Sequence, residues 1–108
     1  MNLPARATAV DVIRNSTGAT LKVEGDLDLA SAPLVMDRAI PIVDPGGGEL
    51  TLDLTGVGFC DSSGISVLVK LRQLCDQRGW LLRTVNLQPA VRRIVVDFGG
   101  LGDYLNVG

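Results

Sequence analysis

The sequence predicts an α/β domain with a mixed, mostly parallel sheet, an N-terminal hairpin and helices packed on the sheet. Segments that alternate apolar and polar residues, as half-buried strands do, take turns along the chain with segments of helical spacing. The 108 residues are fewer than one typical domain of ~150, so a single domain is expected. A composition of 46% hydrophobic and 20% charged residues is sufficient for a buried core.

The amino-terminal end predicts a flexible arm followed by a hairpin. Residues 1–8 carry no pattern and are expected to form the arm, which leaves 9–108 as the domain. Two short strand-like segments, 10–14 and 19–24, flank the turn-forming residues 15–18. This arrangement predicts an antiparallel hairpin.

A helix is predicted after the hairpin, bounded by residues with known positional preferences. Ser31 suits the N-cap and Pro33 suits the first turn. Pro41 cannot donate a backbone hydrogen bond, so it should end or kink the helix. Residues 44–48, with a proline and three glycines, predict a loop.

The rest of the chain alternates between strands and helices, which gives the element order β-β-α-β-α-β-α-β. Such alternation implies right-handed crossovers and a largely parallel sheet. Gly79 is expected to cap the second helix. The predicted strands cover 49–54 (continued or followed by 57–60), 80–85 and 104–107, and the predicted helices cover 63–78 and 88–97.

Composition and charge exclude several classes of function. Ten basic and twelve acidic residues give a net charge of −2, which disfavours nucleic-acid binding. The chain has no histidine, which removes His-based triads and most zinc chemistry. No apolar run is long enough to span a membrane, and the first residues lack the apolar stretch of a signal peptide. A cytoplasmic protein without a cofactor is expected.

The two cysteines are predicted to be separate buried thiols. Cys60 is placed at the end of a strand and Cys75 near the far end of the next helix. Twelve helical residues rise ~18 Å, whereas a disulfide needs Cα atoms within ~7 Å. An intramolecular bridge is therefore not expected, and a redox-sensitive or intermolecular thiol is the alternative.

The segment 58–65 carries the chemistry, because it lies where a strand ends and a helix begins. Asp61, Ser62 and Ser63 can each cap the helix, which is a purely structural role. A helix N-terminus also favours negative charge, so a phosphate on either serine would be tolerated there. Gly64 is expected to leave room for a partner protein to approach. Catalysis by these serines is not expected, since no histidine can serve as base.

A second cluster of chemistry-bearing residues is the acidic pair Asp26 and Asp28. Two carboxylates at this spacing could bind a cation or perform acid–base work. Because the sequence offers no third ligand, we interpret both as loop residues that cap the helix beginning near Ser31. If that loop lies beside Ser62, the pair adds negative charge to the same surface.

These segments together resemble the STAS domain family, and within it the bacterial anti-sigma-factor antagonists. Residues 25–33, with Gly-Asp-Leu-Asp, are similar to the block before the family's first helix. Residues 52–54 and 59–65 are similar to its strand followed by Asp-Ser-Ser-Gly and an apolar residue. Residues 87–94 and 99–101 resemble its third helix and its closing Gly-Leu.

The resemblance, which covers roughly residues 9–107, implies a STAS-like fold and a partner-switching role. An anti-sigma factor with serine-kinase activity would bind the unphosphorylated chain and release its sigma factor. The kinase would then phosphorylate Ser62, and a metal-dependent serine phosphatase would reverse this step. A monomer or weak dimer is expected. We expect the partner-binding surface to comprise Asp26, Asp28, Asp61, Ser62, Ser63 and Gly64.

Two other roles remain open for a chain of this family. One is an accessory or scaffold subunit of a lipid-transport or stress-signalling complex, and the other is the cytoplasmic STAS domain of an anion transporter. The sequence departs from the family pattern at Pro41, which interrupts the first helix, and at Cys60, where an apolar residue is common.

Overall fold

The fold is a four-stranded sheet with helices packed on one face, in a computed structural model that describes residues 8–108. All of the predicted N-terminal arm except Thr8 lies outside the described residues. The strands are β1 (Ala9–Asn15), β2 (Gly18–Leu27), β3 (Gly48–Cys60) and β4 (Trp80–Val85). The helices are α1 (Ala32–Ala39), α2 (Ser62–Arg78) and α3 (Pro89–Arg92), and a π-helical segment, Arg93–Phe98, continues α3.

The strand order in the sheet is β1-β2-β3-β4. β1 pairs antiparallel with β2, whereas β2 with β3 and β3 with β4 pair in parallel. The predicted mixed sheet with an N-terminal hairpin is therefore confirmed. The parallel register places Asp26 opposite Phe59 and Leu27 opposite Cys60, so the carboxyl ends of β2 and β3 meet at one edge of the sheet.

The core lies between one face of the sheet and the helices. Alternate strand residues are buried on that face, while their neighbours Lys22, Thr51 and Arg83 remain partly or fully exposed on the other. Burying each such aliphatic side chain contributes about 1.5–3 kcal/mol, so this apolar face anchors α1 and α2. The fully buried side chains of the sheet face include Leu21, Val23, Leu50, Leu52, Leu54 and Leu82, which meet Val35 of α1 and Leu68 and Leu71 of α2.

The predicted helix boundaries hold for α1 and α2. α1 has Ser31 at its N-cap position, Pro33 in its first turn and its last residue two positions before Pro41. Ser31, however, makes no capping hydrogen bond with its side chain. α2 ends at Arg78 and is capped by Gly79, whose φ of 73° is the left-handed conformation expected of a glycine at a helix C-terminus.

The strand predicted over 104–107 is wrong. Residues 102–106 form turns, and within the part of the chain that the structure describes a single bridge, Thr84 to Val107, extends the sheet beyond β4. The physical reason is Asn106, whose φ of 50° interrupts an extended strand. The Thr84 hydroxyl donates to the Leu105 carbonyl instead, at 2.9 Å, and so ties this terminus to the sheet.

Two further elements differ from the prediction, one in its extent and one in its helical form. β2 continues to Leu27, so Asp26 belongs to the strand and not to the loop before α1. The third helix covers the predicted span, but its second half, Arg93–Phe98, is wound as a π-helix. Residues 57–60 continue β3, as one of the two predicted alternatives had it.

Candidate functional site at the start of α2

The candidate site lies where β2 and β3 end and α2 begins. The Asp61 amide donates to the Leu27 carbonyl at 3.2 Å, which joins the loop after β2 to the loop before α2. Ligands and partners of α/β folds commonly bind at such carboxyl edges. The sequence prediction that residues 58–65 span a strand end and a helix start is confirmed.

Asp61 is the residue that caps α2. Its Oδ1 atom accepts hydrogen bonds from the amides of Ser63 at 2.9 Å and Gly64 at 3.0 Å. Two of the free N–H groups at this helix end are thereby satisfied without either serine side chain. Of the three predicted capping residues, the structure assigns the role to Asp61.

Ser62 occupies the first position of α2 and is exposed to solvent. Among the described residues, no hydrogen-bond partner is found for its hydroxyl, while its carbonyl accepts from the Ser66 hydroxyl at 3.0 Å. Ser63 is only partly exposed. The more accessible hydroxyl therefore belongs to Ser62, at the positive end of the helix dipole.

Gly64 is buried and packs against the interior of the protein. A Cβ atom at this position would overlap the carbonyl oxygen of Leu27 and lie 2.8 Å from the Cys60 sulfur. The predicted reason for this glycine, room for a docking partner, is therefore wrong. Its absent side chain instead allows α2 to approach the end of β2 closely.

The two residues of the acidic pair lie in different elements, Asp28 in a turn and Asp26 in a strand. Asp28 follows β2, and its carboxylate accepts from the amides of Ala30 at 3.0 Å and Ser31 at 3.1 Å. The Ser31 hydroxyl in turn accepts from the Asp28 amide at 2.9 Å. Asp28 thus closes the turn before α1, whereas the predicted role as a cap of that helix is wrong, because both amides precede the first helical residue, Ala32. Asp26 lies within β2, so its interpretation as a loop residue is wrong.

The loop that carries Asp28 does lie beside the start of α2. Leu27 and Cys60 are opposite one another in the sheet, and the next residues along the two strands are Asp28 and Asp61. Both carboxylates therefore flank the segment that presents Ser62. This arrangement gives the edge of the sheet a negative charge next to a neutral, exposed hydroxyl.

The two cysteines are free thiols inside the protein, as predicted. Burial, with a smaller contribution from the charge of Asp61, raises the pKa of Cys60 to about 11. Burial likewise raises the pKa of Cys75 to about 11, and Asp76 adds to the effect. Since the thiolate is the reactive form, burial and the raised pKa both disfavour reaction of these thiols at neutral pH.

Comparison with known proteins identifies the family. The family described as "Mlab, STAS domain" matches residues 10–103. The chain belongs to the STAS domain family. The anti-sigma-B factor antagonist of Bacillus subtilis is 29% identical to this STAS domain over 98 residues, which cover 91% of this chain and 88% of that protein.

Solved structures share the fold of this STAS domain. An anti-sigma factor antagonist from Mycobacterium paratuberculosis superposes with a TM-score of 0.75 at 25% identity, covering 94% of this chain and 85% of that one. The Bacillus cell fate determinant SpoIIAA, solved in its phosphorylated form, gives a TM-score of 0.66 at 17% identity, covering 93% and 91%. The latter likeness is one of fold.

The described part of this STAS domain contains neither a metal-binding cluster nor a membrane-spanning helix. Within residues 8–108, no three His, Cys, Asp or Glu side chains lie close enough to hold a metal ion. Over the same residues, none of the helices combines the length and the apolar character that crossing a bilayer requires.

Two residues of this edge were not selected from the sequence. Leu29 is 76% exposed in the turn after β2, and Phe59 is 51% exposed at the end of β3. Exposed apolar side chains beside a polar site are typical of protein-binding surfaces. The sequence signal that could have pointed to them is that both residues lie inside the two sequence blocks that carry the acidic residues and the serines.

Proposed function

We propose that this STAS domain is an anti-sigma factor antagonist whose binding is switched off by phosphorylation of Ser62. In its unphosphorylated form it binds an anti-sigma factor with serine-kinase activity in the cytoplasm, and that anti-sigma factor then releases its sigma factor. A metal-dependent serine phosphatase returns the modified chain to its binding form. The chain itself performs no catalysis in this cycle.

The observation that carries the proposal is the placement of Ser62. Its hydroxyl is exposed, has no hydrogen-bond partner among residues 8–108, and begins a helix that is already capped by Asp61. A kinase can therefore reach the oxygen without unfolding the chain. In the transfer, the hydroxyl oxygen forms a bond to the γ-phosphorus of ATP, loses its proton, and ADP leaves.

Phosphorylation would change the surface charge of this edge. A phosphate adds about −1.5 to −2 charge at neutral pH, directly beside Asp61 and close to Asp28. An interface suited to a neutral hydroxyl would then face a cluster of three anionic groups. Like charges at interfaces cost several kcal/mol, and ~3 kcal/mol already weakens binding more than 100-fold.

The same phosphate should leave the helix intact. Negative charge at the first turn interacts favourably with the helix dipole, by about 0.3–1 kcal/mol at exposed sites. The Asp61 cap uses the amides of Ser63 and Gly64, so the phosphate need not compete for them. A switch in surface charge with little refolding is therefore the mechanism we propose.

The test is direct phosphorylation and binding with each purified serine-kinase anti-sigma factor of the host. Wild-type chain, Ser62→Ala and Ser63→Ala are incubated with kinase and ATP, and the modified residue is mapped by mass spectrometry. One kinase should modify the wild type and Ser63→Ala but not Ser62→Ala. Modification of Ser62→Ala at Ser63 would overturn the assignment of the site.

Binding to the same kinase tests the charge mechanism. Ser62→Ala should bind like wild type, and Ser62→Glu should bind at least about tenfold more weakly. Ser16→Glu makes the same substitution at an exposed position in the turn between β1 and β2, at the end of the sheet opposite to Ser62, and should bind normally. If Ser62→Glu binds as tightly as Ser16→Glu, charge at Ser62 is not the switch.

The accessory-subunit role predicts a different outcome of the same experiments. No host kinase would then modify the chain, and the protein purified from its host would carry transporter or scaffold subunits. That result would refute the antagonist proposal while leaving the family assignment unchanged, because one fold serves many functions.

A further inference from the structure

A surface groove lies beside the Ser62 segment, between the turn after β2 and the two first helices. It has a volume of about 220 Å³. We call it the α1–α2 groove. Its lining residues are Leu29, Ala32, Pro33, Met36, Val67 and Lys70.

We propose that the α1–α2 groove is the anchoring pocket for the anti-sigma factor, which inserts an apolar side chain beside a carboxylate that pairs with Lys70. The inference rests on the proposed function and names a part of its interface. Three observations carry it: continuity with Ser62, a rigidly held apolar residue, and one unpaired positive charge.

The groove is continuous with the surface around Ser62. Ser62, Ser66 and Lys70 are all exposed and follow one another at intervals of four residues along α2. Residues at this spacing lie on one face of a helix, and Lys70 is about 12 Å along the axis from Ser62. On the other side, the Leu27–Asp61 hydrogen bond joins the turn that carries Leu29 to the same segment. A partner that covers Ser62 thus meets the groove.

Leu29 has the properties of an interface anchor. It is 76% exposed, although the turn that holds it is closed by the hydrogen bonds of Asp28 and Ser31. Because the turn is already ordered, little backbone entropy is lost when Leu29 binds a partner. Exposed apolar residues on rigid turns at the centre of a contact surface are typical of the few residues that dominate binding energy.

The charge of the groove selects its occupant. Lys70 is the only charged residue that lines it, and within residues 8–108 the lysine forms no ion pair. The remaining lining residues are apolar. A partner segment with an apolar residue next to an aspartate or glutamate matches both features, whereas a basic or fully polar segment would leave one of them unmatched.

The experiment measures how the kinase that phosphorylates Ser62 binds and modifies each variant. Titration calorimetry gives the Kd of the complex, and steady-state phosphorylation gives kcat and KM. Leu29→Ala should raise Kd and KM about tenfold and leave kcat unchanged, because the acceptor hydroxyl is untouched. Leu81→Ala is the matched control, since Leu81 is 52% exposed on the open face of the sheet. It should behave as wild type.

The charge is tested in the same way. Lys70→Glu should weaken binding about fivefold at low ionic strength, with the difference shrinking at high salt. Lys22→Glu changes the chain's other lysine, on the open sheet face, and should have no effect.

The outcomes separate this inference from the function on which it rests. If Leu29→Ala and Lys70→Glu bind within twofold of wild type while Ser62→Glu loses binding, the groove is not the anchor and the switch stands. If no host kinase binds or modifies the wild-type chain, both proposals fall. Unchanged melting temperatures of the variants, expected for exposed positions, exclude unfolding as the cause of weaker binding.

Discussion

Replacement of Gly64 by alanine tests how closely the first turn of α2 must approach the end of β2. The added methyl group would overlap the Leu27 carbonyl oxygen and lie 2.8 Å from the Cys60 sulfur and 3.0 Å from the Leu27 carbonyl carbon. The main obstacle is the Leu27 carbonyl, a backbone group at the end of β2, which cannot rotate away as a side chain can. The helix itself must therefore move.

The expected loss of stability follows from three contributions. Overpacking of a well-packed site costs about 1–3 kcal/mol. Displacement of α2 also strains or breaks the Asp61–Leu27 hydrogen bond, which is worth about 1 kcal/mol. Against this, alanine has a helix propensity up to about 1 kcal/mol better than glycine. The net destabilisation of Gly64→Ala is about 2 kcal/mol.

Urea unfolding followed by circular dichroism measures this value, and thermal unfolding should show a Tm lower by roughly 8–16 °C. The double variant Cys60→Ala/Gly64→Ala is the control. Removal of the sulfur clears only the lesser obstacle, so most of the loss caused by Gly64→Ala should persist in the Cys60→Ala background. If Gly64→Ala is as stable as wild type, the close approach to Leu27 does not determine the residue at this position.

Three further predictions concern the cap, the thiols and a buried indole. Asp61→Ala removes two capping hydrogen bonds and should lower the free energy of unfolding by about 1 kcal/mol, measured by urea titration; an unchanged midpoint would contradict the role of the cap. Because folding raises the pKa of Cys60 and Cys75 to about 11, their stabilising contribution is complete below pH 9 and lost as pH rises towards 11. Unfolding curves at pH 8, 9.5 and 10.5 should show this decline, and the variant with both cysteines changed to alanine should show a shallower one. Trp80→Phe removes the 2.6 Å hydrogen bond from the indole to the Asp44 carbonyl and should cost about 1 kcal/mol in the same assay, whereas a neutral result would mean that water replaces the indole as donor.

The parts of the fold that follow local rules were predictable from the sequence. The alternation of Leu50, Leu52 and Leu54 identified β3, and Gly79 identified the end of α2. These features depend on side-chain periodicity and on the conformational freedom of glycine, which act over a few residues. The π-helical winding of Arg93–Phe98 and the turns before Asn106 depend on how the terminus packs on the sheet, and no local pattern encodes that packing.

The candidate site could likewise be predicted only in part from the sequence. The sequence alone located the strand-to-helix junction and the capping residues, because Asp-Ser-Ser-Gly is a local helix-start pattern. It gave the wrong reason for Gly64, since the atom that requires a glycine there belongs to Leu27, which is distant in sequence. It also passed over Leu29, because apolar residues are assigned to the core unless the structure shows one at the surface.

The close contact at Gly64 bears on the mechanism we propose. Asp28 and Leu29 lie in the turn after β2, whereas Ser62 begins α2, and a partner can contact all three only if the turn and the helix keep a fixed spacing. The Asp61–Leu27 hydrogen bond and the absence of a side chain at Gly64 hold that spacing before any partner arrives. A preorganised surface loses little entropy on binding, so the charge of one added phosphate can decide between the bound and the free state. On this reasoning, a variant that weakens the contact between Leu27 and the start of α2 should lower the affinity of the unphosphorylated chain for its partner. The difference in affinity between the unphosphorylated and the phosphorylated chain should then become smaller.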